Sequence, residues 1–394
     1  MLPQAGDPRY IPRRMRGLLL QCLASYPVVV VTGPRQAGKS TLLRQSLPQA
    51  GWVSLEDPDL REFAATDPRG FFERFSSPLV IDEVQRVPQL LSYLQTRVDA
   101  AGRMGDYVLS GSHRFELLAG VTQSLAGRAA MLELPPLSAP ELVGTARLPA
   151  SLDEMLWLGG YPALRSRDVD PARYYADYVA TYLERDVRRL TAVHDLGTFQ
   201  RFLRLAATRT GQLLNLSALA NDTGISQPTA SAWMNLLEAG YIVRRVPPYH
   251  RNFGKRMVKT PKLYFLDSGL CAWLLDIRSP QGLASHHSRG AMFETWVVGE
   301  ALKSRAARGD TRGVYFWRDN IGNEVDLVLE DNGRLTLVEI KAGQTFHAEA
   351  TRAIDTVARH IGEPLRRALV YGGDLDMLRG DTQVIGWRSL GRSA

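Results

Sequence analysis

The apolar and polar positions of the chain change period several times, and each change predicts a different kind of element. "PVVVVT" holds an unbroken apolar run, Val28 to Val31, and "SPLVID" and "DYVLSG" repeat the pattern downstream. Short continuous runs predict strands buried on both faces, as in a parallel sheet covered by helices. From 151 to 195 the pattern turns helical, with Tyr174, Tyr178 and Tyr182 at helical spacing in "PARYYADYVATYLERDVRRL". That stripe reads as packing against the N-terminal region rather than as a platform for bases. Glu184, Arg185, Asp186, Arg188 and Arg189 read as a solvated or interdomain face. In "LSALANDTGISQPTASAWMNLLEAGYIVRRV", Leu216 to Asp222 predicts one helix and Gly224 a turn. Ser226 caps a second helix, with Pro228 in its first turn and an end near Gly240, and Tyr241 to Val246 begins a strand.

The tail opens with "RGAMFETWVVGEALKSRA", read as an amphipathic helix containing Phe293, Val297, Leu302, Glu294 and Glu300. "EVDLVLEDNGRLTLVEIKAG" then alternates as a strand does, with Val325, Leu327 and Leu329 on one face and Glu324, Asp326 and Glu330 on the other. Asp331, Asn332 and Gly333 are a turn signal, and Leu335 to Ile340 returns as a second strand.

Chemistry enters where the first strand ends. Residues 33–41, "GPRQAGKST", satisfy the phosphate-binding loop pattern between a strand and a helix opened by Thr41, Leu42 and Leu43. Gly33 and Gly38 let backbone N–H groups approach phosphate oxygens. Lys39 is expected to reach the β- and γ-phosphates, and the Ser40 hydroxyl to bind Mg²⁺. Pro34, Arg35, Gln36, Ala37 and Thr41 complete the expected cradle. The second apolar run ends in Asp82 and Glu83, a Walker B arrangement in which Asp82 holds Mg²⁺ and Glu83 polarises the attacking water. The third ends in Ser110, Gly111 and Ser112, where Ser112 is a candidate sensor of the γ-phosphate or part of a plain turn. Arg128, in "SLAGRAAMLEL", reads first as a surface arginine, and is also a candidate for stabilising charge on the transferring phosphoryl group.

On these residues the chain resembles the AAA-type ATPases of bacteria and archaea, which carry "GPRQ-x-GK-[ST]-T", "h-h-D-E-[VI]-Q" and "LTGS". Here they stand as GPRQAGKST, VIDEVQ and LSGS; "LAGR", "PLSAPEL" and "GGYP" match as well. The resemblance covers residues 10–145 most closely and continues to the C-terminus. It implies an α/β fold: a P-loop ATPase core with a parallel sheet over 1–145 and a helical lid over 146–196. A winged helix-turn-helix with a connecting segment would fill 197–288, and a restriction-endonuclease-like α/β domain 289–394.

For a DNA reader, Gln227, Thr229, Ser231 and Asn235 face the major groove. "HRNFGKRMVKTPK" then supplies His250, Arg251, Lys255, Arg256, Lys259 and Lys262 for phosphate contacts. The second helix carries no arginine or lysine, so a structural or protein-contact role stands beside this reading. In the tail, Glu339 and Lys341 point to the same face of a strand, across a hairpin from Asp326. Asp326, Glu339 and Lys341 resemble the PD-(D/E)XK nuclease pattern, with Glu294 as its helix acid and Val325 where a proline is usual. In that reading Glu294, Asp326 and Glu339 bind the metal, Mg²⁺ or Mn²⁺, and Asp326, Glu339 and Lys341 are catalytic. A nuclease-shaped domain that binds DNA or a partner without cutting is the alternative.

Composition adds bounds. At 394 residues the chain predicts two to four domains, and no apolar run reaches membrane-spanning length. No signal peptide is read at the N-terminus, and the two cysteines, Cys22 and Cys271, lack metal-ligand spacing, so a reducing cytoplasmic setting is expected. A net charge of +7 permits nucleic-acid binding without requiring it. Only six of the basic residues are lysines, which draws attention to Lys39 and Lys341, where a compact point charge suits the chemistry. The expectation is an ATP- and Mg²⁺-dependent ATPase whose nucleotide state governs DNA binding and metal-dependent DNA cleavage. A homo-oligomer or protein partner is left open, and a membrane has no support. The alternative is a nucleotide-switched regulator or scaffold, including one half of a toxin–antitoxin or phage-defence pair.

Overall fold

The computed structural model describes residues 9–112, 124–183, 195–249, 259–319, 321–345, 348–361 and 365–390. Two compact units emerge: the first runs to Leu137 and takes in Ala239–Tyr241 and Arg305–Asp310, and the second holds the rest.

The first unit is built on a five-stranded, wholly parallel sheet in the order β2-β3-β4-β1-β5. Its strands are β1 (Val28–Thr32), β2 (Gly51–Ser54), β3 (Leu79–Asp82), β4 (Tyr107–Gly111) and β5 (Ala129–Glu133). β1 is buried along its length. Val28 and Val30 enter one core with Phe71, Phe72 and Leu94, while Val29 and Val31 enter a second with Leu19, Leu42 and Leu132. A strand covered on both faces has no polar phase to display, which is why its sequence is a solid apolar run.

The second unit contains a three-stranded antiparallel sheet, β6 (Gln212–Leu213), β8 (Lys262–Phe265) and β7 (Val243–Val246), in the order β6-β8-β7. Helices Leu216–Thr223 and Gln227–Ala239 lie in sequence between β6 and β7. Gly224 makes the turn at φ +82°, and the Thr229 N–H donates to the Ser226 hydroxyl at 3.2 Å, as the cap signals predict. Tyr174 and Tyr178 are buried, packed on Tyr161 and Tyr175 of their own unit. The Tyr182 side chain and residues 184–194 lie outside the described residues, Glu184, Arg185, Asp186, Arg188 and Arg189 among them.

The remaining sheet has six mixed strands in the order β13-β14-β12-β11-β10-β9. They are β9 (Val314–Arg318), β10 (Glu324–Asp331), β11 (Arg334–Lys341), β12 (Leu365–Tyr371), β13 (Met377–Arg379) and β14 (Thr382–Gly386). The β10–β11 hairpin closes through Asn332 and Gly333 at φ +49° and +77°, the left-handed pair that a two-residue turn requires. The alternation expected of β10 fails part-way. A β-bulge lies between Val325 and Val328, and Val328, rather than Leu329, joins Val325 in the core with Leu337 and Val357. Helix Arg289–Ala307 is also not amphipathic: Met292, Phe293, Thr295, Trp296, Val297, Val298 and Glu300 are all buried.

The "GGYP" stretch has a structural task. The buried Asp267 carboxylate accepts from Gly160 N–H at 2.7 Å, Tyr175 O–H at 2.8 Å and Leu270 N–H at 2.9 Å. A Cβ on Gly159, at φ +66°, would stand 2.3 Å from Asp267 Oδ1. Gly159→Ala is therefore expected to cost about 3 kcal/mol in urea denaturation, through backbone strain and a broken buried network.

Candidate nucleotide and acid sites

The nucleotide site forms at the C-terminal ends of the parallel strands. The chain leaves β1 through Gly33, φ +144°, where a Cβ would lie 2.2 Å from the Leu134 carbonyl oxygen. Pro34, Arg35, Gln36 and Ala37 carry the loop on, with Gln36 at φ +59° and Ala37 fully buried. Gly38, φ +94°, precedes helix Lys39–Ser46, which Lys39, Ser40 and Thr41 open. Lys39 is 7% exposed, and its ammonium donates to the Gly33 and Pro34 carbonyls at 2.9 Å each. Burial lowers its pKa to about 8, against the opposing pull of Glu83 and Asp82.

Parallel register brings the acids to this loop, because β4 lies between β1 and β3. Ser40 Oγ donates to Asp82 Oδ2 at 3.1 Å, and Ser110 Oγ donates to Asp82 Oδ1. Glu83 sits at φ +57°; its Oε2 accepts from Gln85 Nε2 at 2.7 Å and from Ser112 Oγ at 3.5 Å. Lys39, Ser40, Asp82, Glu83 and Ser112 are thus assembled into one site. Arg13 was not expected there. Buried, it donates to the Ala37 carbonyl and to the Pro135 carbonyl at 2.6 Å each, bracing the loop.

Arg128 is not brought to this site. Its carbonyl accepts from the Val28 N–H at the start of β1, the end of the sheet opposite Gly33, and its guanidinium grips Asp99 through two hydrogen bonds. Parallel strands five residues long separate it from the phosphate loop of its own chain.

The acid site lies on the six-stranded sheet. Glu339 and Lys341 share a face of β11, with Lys341 Nζ 2.5 Å from Glu339 Oε1. Beside the bulge the Asp326 carboxylate turns to accept the Ile340 N–H at 2.9 Å. Burial, then the charges of Glu294 and Glu339, push the Asp326 carboxyl up to about 8. Glu339 is also raised by burial, with Lys341 opposing. Its Oε2 is buried with no hydrogen-bond partner. An orphaned carboxylate oxygen beside a second, electrostatically stressed carboxylate fits a divalent cation on donor chemistry.

The third expected ligand is committed elsewhere. Glu294 Oε1 accepts from Lys262 Nζ at 2.9 Å and Tyr264 O–H at 2.6 Å. Among the described residues, no three His, Cys, Asp or Glu side chains are gathered so as to hold a metal ion. Lys262, expected at phosphates, is instead 2% exposed and paired with Glu294 and Glu324. His250, Arg251, Lys255 and Arg256 lie outside the described residues. Gln227 and Asn235 are exposed and Thr229 and Ser231 half-buried, all on the second helix of the pair. Among the described residues, no helix is long and apolar enough to cross a membrane.

Comparison with known proteins agrees with the first unit's geometry. Residues 25–143 match a family described as "AAA domain", which makes this stretch an ATP-binding P-loop domain of the AAA type. Residues 149–281 and 289–390 match two families, each described as a domain of unknown function (DUF8612 and DUF4143). The chain is 32% identical over 373 residues to the uncharacterized protein Rv2008c of Mycobacterium tuberculosis, covering 93% of this chain and 81% of that protein. The same figures hold for the uncharacterized protein Mb2031c of Mycobacterium bovis. Among solved structures, the Walker-type ATPase of Pyrococcus abyssi aligns with a TM-score of 0.47 at 17% identity, covering 69% of this chain and 98% of that one.

Proposed function

The chain belongs to the family of the mycobacterial proteins Rv2008c and Mb2031c, and from that premise we propose a Mg²⁺-dependent ATPase whose nucleotide state governs a DNA-binding, metal-dependent nuclease unit. The observation that carries the ATPase reading is the convergence of Lys39, Ser40, Asp82 and Glu83 at one end of the parallel sheet. Lys39 exchanges its loop carbonyls for the β- and γ-phosphate oxygens. Ser40 and Asp82 would hold Mg²⁺, which neutralises charge on the phosphates. Glu83 orients the attacking water, and Ser112, beside it, senses the γ-phosphate. Glu83→Gln is expected to keep ATP affinity while turnover falls about 10²-fold or more. Equilibrium binding of ATP alongside phosphate release checks this, and unchanged turnover would remove Glu83 from the role.

The DNA part is supported by the helix pair 216–239 flanked by β6 and β7, which we read as a winged helix-turn-helix, and by the acid site. Asp326 and Glu339 would hold Mg²⁺ or Mn²⁺, which supplies a polarised phosphate and an activated water. Lys341 neutralises charge developing beside them. A second reading, a nucleotide-switched regulator with a non-cleaving tail, is favoured by one observation: Glu294 is engaged by Lys262 and Tyr264. Incubation of supercoiled DNA with Mg²⁺ or Mn²⁺, with and without ATP, separates the two.

A further inference from the structure

We propose that Lys262 is a resident cation that keeps the acid site from taking a divalent metal, and that the site is completed only when Lys262 leaves Glu294. The inference rests on reading Asp326 and Glu339 as cation ligands. It accounts for an otherwise odd arrangement, in which one acid has a buried oxygen with no hydrogen-bond partner while the expected third ligand, Glu294, has an oxygen filled by Lys262 and Tyr264.

The ammonium of Lys262 sits between Glu294 Oε1, at 2.9 Å, and Glu324. Tyr264, two residues along β8 and so on the same face, spends its hydroxyl on the same Glu294 oxygen. A carboxylate oxygen has two lone-pair directions, and both on Oε1 are taken. Arg318 holds the other oxygen of Glu324 at 2.9 Å, which fixes the far wall of the seat. Lys262 is 2% exposed, so leaving it without these partners would strand a buried charge. With both directions filled, Glu294 Oε1 has no lone pair for a metal while Lys262 and Tyr264 stay, and a divalent cation beside the buried ammonium would meet its charge with little water to screen it. Occupation of that oxygen is therefore exclusive: either Lys262 or a metal takes Glu294 Oε1.

The residue type suits a removable plug. A lysine is one point charge on a flexible four-carbon stem, able to swing away, where an arginine would be locked by a planar fork. Its location suits regulation. Lys262 belongs to β8 of the three-stranded sheet, whereas Glu294 and Glu324 belong to helix Arg289–Ala307 and to β10. A displacement of β8, for instance when the helix pair bordering that sheet engages DNA, would draw the ammonium out and free Glu294.

The test uses the full chain and Mn²⁺ alone. Only six lysines are present, so acetylation by a lysine-selective reagent can be followed at each by mass spectrometry. Lys262 is expected to be protected without Mn²⁺ and labelled several-fold more when Mn²⁺ is bound, with the exposed Lys259 as the reference. Mn²⁺ bound in wild type with Lys262 still protected would overturn the interlock. In a second arm, electron paramagnetic resonance measures Mn²⁺ affinity. Lys262→Met is expected to bind about tenfold more tightly than wild type, and Lys262→Arg no more tightly. Equal affinity for Lys262→Met and wild type, with binding lost on Asp326→Asn, would reject the interlock and leave the acid-site reading standing. Absence of any Asp326-dependent Mn²⁺ binding in both would reject the two together. The labelling arm needs no variant and stands whether or not Lys262→Met folds.

Discussion

Lys39→Ala is expected to abolish ATP turnover, a loss of about 10³-fold or more, with ATP affinity reduced alongside. The Lys39 ammonium is held by two carbonyls of the loop that ATP is to occupy, and it is almost wholly removed from water. That burial brings its pKa down to about 8. Triphosphate oxygens would favour the charged form, so binding is coupled to protonation. Above about pH 8 a growing share of the Lys39 side chains is neutral before ATP arrives and must take up a proton, whereas well below it nearly all are already charged. Calorimetry with MgATP in buffers of different ionisation enthalpy should therefore show proton uptake that is small near pH 7 and rises as pH passes 8. The Lys39→Ala variant should show none of it. Residual specific turnover in Lys39→Ala, or uptake that does not depend on pH, would sink the assignment of this lysine.

The nucleotide site was legible because its parts are local. The loop lies between a strand and a helix contiguous with it, and Asp82 and Glu83 end an apolar run of their own. What the sequence hid depends on sheet order. Ser110 meets Asp82 only because β3 and β4 are parallel neighbours in register. Arg13 meets Pro135 across 122 residues. Arg128 shows the converse: it lies at the far end of the parallel strands, paired with Asp99, as its surface reading expects. In the tail, the pairing of Asp326 with Glu339 and Lys341 followed from strand period, but the bulge that breaks the period, and turns the Asp326 carboxylate to Ile340, did not. Lys262 was the least legible. A lysine in a basic segment reads as a surface charge, and only tertiary structure reveals two carboxylates waiting for it. The helix carrying Glu294 reads as amphipathic because polar residues such as Thr295 and Glu300 interrupt its apolar positions, but tertiary structure buries both.

Asp326→Asn is expected to remove divalent-dependent nicking of DNA and, at the same time, to make the metal-free protein more stable. The sign follows from the folded-state pKa. The Asp326 carboxyl is raised to about 8 by burial and by Glu294 and Glu339, far above its value in an unfolded chain, about 3.9. The folded protein therefore holds a proton that the unfolded chain releases, and stability drains away as pH rises from about 4 through about 8. Asparagine carries no charge to bury, keeps an oxygen for the Ile340 N–H, and should erase this part of the pH dependence. Wild type and Asp326→Asn should melt together near pH 4. At pH 8 the variant should be clearly the more stable, with the gap between the two widening steadily from pH 4 to pH 8. Mn²⁺ should then raise the melting temperature of wild type at pH 8 and leave the variant unmoved. A variant less stable than wild type at pH 8 without metal would mean that the carboxylate is structural. A more stable variant, in a protein whose wild type nicks no DNA under any metal or ATP condition, would keep Asp326 as a metal ligand and turn the weight to the nucleotide-switched regulator. The two readouts are independent because one concerns the cost of an unpaired charge and the other what that charge does once a cation meets it.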